Sequence, residues 1–327
     1  MTAAAVPDKE FIELWNLHQS PSKLAEILDV QVRNIMSRRR NLEVKYKISL
    51  DVKNKSITSE KFASNYHLHK ARLSLGLQDG VVIVFSDAHF WPAIRTTAMR
   101  GLLWAIDELQ PKAVICNGDA FDGASISRFP RIGWDSKPSV IQELNACKAS
   151  LGEIDDAAKS SRKSCKLIWT LGNHDARFEN RLAQAAPEFE NVDGFTLKDH
   201  FPDWTPAWSC WPTDSLCVKH RYKGGVHATH NNTVNSGASI VTGHLHSLKV
   251  TPFSDYKGTR FGVDTGTLAD TTGPQFTDYL EDNPVNWRSG FAVLTLHKGR
   301  LLWPELAHRF DEDVLEFRGN LIDVSKY

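Results

Sequence analysis

Five short segments place Asp, Asn and His where an apolar run stops: SDAH at 86–89, NGDAFD at 117–122, LGNHD at 171–175, VKH at 218–220 and TGHLH at 242–246. The run before the first, VVIVF at 81–85, has the β-branched composition of a strand buried on both faces. Where such a strand ends, the backbone leaves the sheet and polar side chains can converge on a ligand. One such segment alone reads as a turn cap or a hydrogen-bonded structural histidine. Their repetition in order down the chain is what points to a site. Oxygen and imidazole donors without cysteine suit Mn²⁺, Fe, Zn²⁺ or Ni²⁺ and disfavour a structural zinc. The donors are too many for one ion and suit two ions that share a carboxylate. Such a pair, about 3.5–4 Å apart, polarises a phosphoryl oxygen and brings a bridging water to a pKa near neutrality.

The elements that must position these groups follow from periodicity. Residues 94–109 carry a helical period that Pro111 ends, and KAVICNGD returns a second strand. This strand–helix–strand rhythm predicts a parallel central sheet. A helix is expected over 139–158, a third strand in KLIWT, and a helix from Ala176. The second half is β-rich through FAVLTLHKGRLLWPEL. HKARLSLGLQDGVVIVF reads as a β-hairpin turning at Gln78-Asp79-Gly80. Residues 194–214 form an aromatic insertion with Trp204, Trp208 and Trp211, which could stack bases but are expected to pack the insertion onto the fold.

Residues 1–49 read as a small all-α, helix-turn-helix-like domain, 50–70 as a linker, 71–310 as the main α/β domain and 311–327 as a C-terminal tail. In the first of these, Ala25, Asp29 and Ile35 have the spacing by which a small residue lets two helices approach and a turn residue joins them. Asp29 stands where Gly is usual and tolerates the left-handed region. The third helix would turn Arg33, Arg38, Arg39 and Arg40 outward, side chains suited to phosphates and base edges, so DNA is the expected partner. A solvated basic face on a helical cap is the alternative.

Composition narrows the setting. The chain has 327 residues, 41% apolar and 24% charged, with a formal net charge of zero. No global basic field argues for nucleic acid, yet residues 1–72 hold 13 Lys and Arg against 8 Asp and Glu. Cys116, Cys147, Cys165, Cys210 and Cys217 form no CxxC pair, which suits a reduced, cytoplasmic protein. Nothing resembles a secretory leader or a membrane span.

The ordered series D-x-H, G-D-x-x-D, G-N-H-D, H and G-H-x-H, over roughly 78–308, resembles the calcineurin-like metallophosphoesterase superfamily, in particular its nuclease and phage-type members. The resemblance implies a four-layer α/β/β/α sandwich with a two-metal site at one edge. Carried over residue by residue, Asp87, His89 and His246 would hold one metal; Asn173, His220 and His244 would hold the other; Asp119 would bridge them. His174 would act as general acid, oriented by Asp122, and a metal-bridging hydroxide would be the nucleophile. The ions would be Mn²⁺, with Fe, Zn²⁺ or Ni²⁺ as alternatives. The chain departs from the family at two places. His220 is followed by Arg221 where Gly is usual, which leaves His227 and His230 as competitors, although His220 alone follows an apolar strand. Gly123 stands where relatives carry a phosphate-gripping Arg, a contact Arg128, Arg131 or Arg177 could supply.

The expected function is therefore a dinuclear-metal-dependent phosphodiesterase or nuclease acting on DNA. One alternative is a phosphatase or phosphodiesterase of small substrates (nucleotides, cyclic nucleotides, phosphoproteins) with the N-terminal helices as cap or oligomerisation element. A second is a DNA-binding regulator or assembly protein. An intact His174 weighs against the second, since a purely structural site has no use for a proton donor.

Overall fold

A computed structural model describes residues 6–50, 71–129 and 137–327 of the chain. The chain divides into two units, Met1–Leu68 and His69–Tyr327. The expected linker falls almost entirely on residues 51–70, outside the described residues.

The smaller unit has three helices: α1 (Asp8–His18), α2 (Pro21–Ile27) and α3 (Val32–Tyr46). Ser20 caps α2, its hydroxyl accepting from Lys23 N, and Pro21 supplies a preset φ at the first position. Phe11, Trp15, Leu24, Ala25, Ile35, Leu42 and Leu50 form its core. Ala25 and Ile35 are both buried, and Asp29 turns the chain between α2 and α3 with φ 50°.

The larger unit begins with β1 (Arg72–Ser74), β2 (Gly80–Phe85), α4 (Thr97–Leu109), β3 (Ala113–Cys116), α5 (Val140–Ser161), β4 (Lys166–Thr170) and α6 (Ala176–Ala185). It continues through β5 (Thr205–Ala207), β6 (Ser209–Thr213), β7 (Leu216–Val218), α7 (Ala228–Ser236), β8 (Ser239–Thr242), β9 (Lys249–Asp255) and β10 (Gly258–Asp264). It ends with α8 (Pro274–Leu280), β11 (Gly290–His297), β12 (Arg300–Leu301), β13 (Glu305–Asp311), β14 (Val314–Phe317) and β15 (Asn320–Asp323). One sheet runs β1-β6-β7-β8-β10-β9; the other runs β15-β14-β13-β11-β2-β3-β4-β5, with β12 beside β11.

Period-two alternation in β2 shows how the layers are built. Val82 and Val84 face the other sheet, packing with Val218, Val241 and Val263. Ile83 and Phe85 face the helices, packing with Leu102, Ile106, Leu144 and Ile154. With α7 against the outer face of β10, the order is helix, sheet, sheet, helix: the expected four-layer sandwich. β2, β3 and β4 are parallel and in register, Phe85 opposite Cys116 and Cys116 opposite Trp169, so their polar ends align. In the facing sheet Val218 is opposite Val241 and Thr242 opposite Asp264.

Two expectations are corrected. The hairpin is absent: β1 pairs in parallel with β6 in one sheet while β2 lies between β11 and β3 in the other, so Gln78–Gly80 carries the chain between sheets. Residues 311–327 are no tail, because β14 and β15 extend the larger sheet and Leu315, Phe317 and Val324 are buried in its core. Among the described residues no helix is long and apolar enough to cross a membrane.

A Cβ on Gly262 of β10 would overlap the Thr229 carbonyl and the Thr233 hydroxyl of α7. Gly262→Ala should therefore push α7 off the sheet and cost on the order of 1–3 kcal/mol, read as a lower midpoint in urea. An unchanged midpoint would show that α7 is not tightly seated.

Candidate metal centre

Each expected ligand sits just past a strand. Asp87 and His89 follow β2, Asp119 follows β3, Asn173 follows β4, His220 follows β7, and His244 and His246 follow β8. The chain bends sharply there: Asp87, His89, Asp119, His244 and His246 all have φ between 39° and 72°, a region that non-glycine residues enter only where surroundings enforce it. Gly243 is required by proximity, since a Cβ there would overlap the Ser86 hydroxyl and the Asp87 carboxylate.

The side chains meet in two groups. Asp87, His89 and His246 bring donor atoms within 4.8 Å of one another, as do Asp119, His220 and His244. His246 Nε2 lies 3.0 Å from Asp87 Oδ1, and His220 Nε2 lies 3.1 Å from Asp119 Oδ2. Asn173 Oδ1 is 3.3 Å from His220 Nε2. A third group, His89, Asp119 and His174, joins the two. His220 thus belongs to the cluster. His227 lies at the N-terminal boundary of α7, and His230, on α7, packs against Phe253 of β9.

Ring tautomers are set from behind. His220 Nδ1 donates to Asn117 O at 2.8 Å, which turns Nε2 toward Asp119. Asp122 Oδ1 lies 2.9 Å from His89 Nδ1 and 2.7 Å from His174 Nδ1. Arg177 Nη2 lies 3.0 Å from His174 Nε2, and its Nη1 donates to Asp122 O at 2.9 Å. Of the three phosphate-binding candidates, Arg177 is in the site. Arg128 is exposed with its guanidinium over Phe129, and Arg131 lies outside the described residues.

Charge follows from burial. Burial works against ionised Asp87, yet His246 and His220 outweigh it and bring its pKa down to about 2. Asp119 is likewise held low against burial by His220 and His174. Burial disfavours charged His220, but Asp119 and Asp87 push it up to about 10. Buried, closely spaced carboxylates are costly without cations to pair with. The donor set fits divalent metal ions on two further counts: it is all oxygen and imidazole, and the buried Nδ1 of His246 has no hydrogen-bond partner.

Sequence reasoning passed over three carboxylates behind the ligands. Asp175 accepts from Asp119 N, Phe121 N, Gly172 N and Trp169 Nε1, at 2.8 to 3.1 Å. Asp264 Oδ1 accepts from Ser247 N and Gly266 N, both at 3.0 Å. Glu143 on α5 accepts from Ala124 N at 3.0 Å, two residues past Asp122. The signal for Asp175 is its place closing GNHD; for Asp264 it is the same strand-end pattern in RFGVDTG. Glu143 gives none. Of the tryptophans singled out by sequence, Trp204 is buried edge-on to Phe85 and Trp211 lies under Arg72, as the packing expectation has it, while Trp208 is 48% exposed.

In the N-terminal unit, Arg33 and Arg40 are exposed, as are Gln31 and Asn34. Arg38 and Arg39 are corrected. Arg38 pairs with Asp8 and lies over Phe11; Arg39 pairs with Glu43 and lies over Trp15.

Residues 80–258, more than half of the chain, match the model of the family described as calcineurin-like phosphoesterase. The Gene 54 protein of Mycobacterium phage L5 is 26% identical over 253 residues, covering 69% of this chain and 92% of the phage protein. Among solved structures, an archaeal phosphodiesterase is similar over 69% of this chain and 99% of its own, with 14% identity and a TM-score of 0.33. The Pseudomonas putida nuclease MPE is similar over 68% of this chain and 86% of its own, with 16% identity and a TM-score of 0.30.

Burial raises the Glu143 carboxyl from 4.5 to about 7, partly opposed by Ala124 N and reinforced by Asp122. Folding therefore favours its protonated form. That stabilisation is full below about pH 4.5 and disappears as pH rises through about 7. Wild type should lose on the order of 2–3 kcal/mol of stability between about pH 5 and pH 8.5 from this group. Glu143→Gln should flatten that loss in thermal unfolding; parallel profiles would place the carboxyl elsewhere than in this buried contact.

Proposed function

Since the chain belongs to the calcineurin-like phosphoesterase family, and so to the metal-dependent phosphoester hydrolases, we propose that it is a dinuclear phosphodiesterase that cleaves DNA. Asp87, His89 and His246 would hold one divalent ion and Asn173, His220 and His244 the other, with Asp119 shared between them. Bound there, the ions supply the Lewis acidity that polarises a phosphoryl group and brings water toward a neutral pKa.

The chain's own residues supply positioning and a proton. Asp122 fixes His89 and His174 through their Nδ1 atoms, so each ring presents Nε2 to the cluster. Burial disfavours charged His174, yet the carboxylates of Asp119 and Asp122 raise its pKa above the usual value, which suits an acid that protonates a leaving oxygen from Nε2. Arg177 caps that atom at 3.0 Å. Arginine only donates, so this contact meets the Nε2 lone pair. A phosphate oxygen would draw the guanidinium away as the ester binds and free Nε2 to take up a proton from solvent and pass it to the leaving group. Arg177 thereby takes the place of the arginine missing at Gly123.

The reading of a polymer substrate rests on the helical unit at the N-terminus. Its exposed Gln31, Arg33, Asn34 and Arg40 lie at the start and along α3, where a helix-turn-helix element presents phosphate and base contacts. With Arg38 and Arg39 engaged by α1 and Lys45 paired with Asp8, Arg33 and Arg40 remain to meet phosphate on this helix.

Asp119→Ala should abolish both metal loading and hydrolysis of bis(p-nitrophenyl) phosphate with Mn²⁺. His174→Ala should keep the metals, by elemental analysis, while losing roughly 10²–10⁴-fold in rate. A metal-free His174→Ala protein would overturn this division of roles. Labelled single- and double-stranded DNA incubated with protein and Mn²⁺ should be cut. Replacing Arg33 and Arg40 by Ala should weaken DNA binding and lower its salt slope by about two. No cleavage of either DNA form would sink the nuclease reading.

A further inference from the structure

Beside His246 stands a tryptophan that no strand-end motif points to. Trp287 precedes β11 and its ring centroid lies 4.5 Å from that of His246, inclined at 64°. Phe276 of α8 completes the corner, 5.1 Å from Trp287, 5.6 Å from His246 and 5.3 Å from His89. Two imidazoles of one ligand group are thus edged by aromatic rings.

The corner is fixed by backbone. Arg288 N donates to the carbonyl of His246 at 2.8 Å, Thr267 N donates to Arg288 O at 3.1 Å, and Gly290 N donates to Thr267 O at 2.9 Å. Trp287 is therefore held in register with a ligand by its own neighbour. Phe276 is buried at 6% exposure, so packing accounts for it. Trp287 is only half-buried, with the exposed Arg288 guanidinium next in sequence, held by Asn286 Oδ1 at 2.6 Å. A half-buried indole and an exposed guanidinium at the edge of a candidate phosphate site match a planar heterocycle joined to a phosphate chain.

We propose that Trp287 is the stacking platform for the nucleobase of the nucleotide that carries the scissile phosphate, with Arg288 meeting the next phosphate. The inference rests on the phosphodiesterase reading of the site and deepens it: it assigns nucleotide esters, rather than alkyl or protein phosphoesters, as the substrate class. Stacking tolerates any base, so this platform selects nucleotides without selecting sequence.

The test compares two substrates with one leaving group, on the full-length Mn²⁺-loaded protein: the p-nitrophenyl ester of thymidine 5′-phosphate and p-nitrophenyl ethyl phosphate. Wild type should prefer the thymidine ester. Trp287→Leu should lower the ratio of the two kcat/KM values about tenfold, mainly through KM for the thymidine ester, and Trp287→Phe should restore most of it. Equal losses on both esters, or no wild-type preference, would overturn the proposal by making Trp287 a packing support for His246. If wild type hydrolyses neither ester, the hydrolase reading falls. Calorimetric titration with thymidine 5′-phosphate and ethyl phosphate then still decides the stack. Tighter binding of the nucleotide, lost in Trp287→Leu and kept in Trp287→Phe, sustains it; equal binding of the two ligands, or none, overturns it.

Discussion

The carboxylate of Asp175 holds the rest of the site in place. Strands that end at a ligand must let their loops leave the sheet, and loops that leave a sheet carry amides with no ladder partner. Asp175 gathers three such amides, from Asp119, Phe121 and Gly172, together with the indole N–H of Trp169. It thereby ties the turn after β3 to the turn after β4, and Asp119 continues the chain by accepting from His174 N at 2.8 Å. Burial, with Asp119 adding to it, pushes Asp175 up to about 6, and the amides oppose both. The facing sheet repeats the device. Asp264 binds the amides of Ser247 and Gly266, and Asp87 Oδ2 accepts from His244 N at 2.9 Å. Acceptors held this way cost less to bury than unpaired ones, by roughly the 1–3 kcal/mol of each amide left unsatisfied.

That framework explains why so many acidic groups occupy a small volume. Asp87, Asp119, Asp122, Asp175 and Asp264 are all buried. Asp175 and Asp264 face amides, and burial raises both to about 6. Asp87, Asp119 and Asp122 face imidazoles and sit low. The division separates the carboxylates that shape loops from those that pair with imidazoles. Left-handed backbone at Asp87, His89, Asp119, His244 and His246 belongs to the same economy of space, since it turns each side chain inward within four residues of the strand end.

The convergence of these Asp, Asn and His side chains was legible because apolar runs announce their own ends: a buried strand is a composition signal, and the polar residue that stops it is conspicuous. Elements without such a signal were not. β1 is three residues long and pairs with β6, far along the chain, so local sequence favoured a hairpin that the sheets do not contain. β14 and β15 are short strands whose burial depends on α4, through Leu315 beneath Gly101. The basic run Arg38–Arg40 reads as one surface, but a helix turns successive residues by about 100°. Arg38 and Arg39 therefore meet Phe11 and Trp15 on α1 while Arg40 faces solvent. Phe276 and Trp287 come from the long β10–β11 connection, and nothing in its pattern places an indole against His246.

The two side-chain groups differ in access, and under the proposed function the difference would orient the reaction. Asp87, His89 and His246 are buried, and the aromatic corner walls the edge beyond His89 and His246. In the other group His244 is exposed, and Asn173 and His174 are partly so. On the proposed reading an ester would enter over the His244 and His174 side, where Arg177 lies beside His174. Its leaving oxygen would then lie toward His174 Nε2, and the retained arm would be directed across the cluster to the rim where Trp287 stands. A small phosphate monoester has no arm to span that distance, whereas a nucleotide diester has one on each side of phosphorus. The spread of the site, with His174 at one edge and an indole at the other, is what favours the proposed diester.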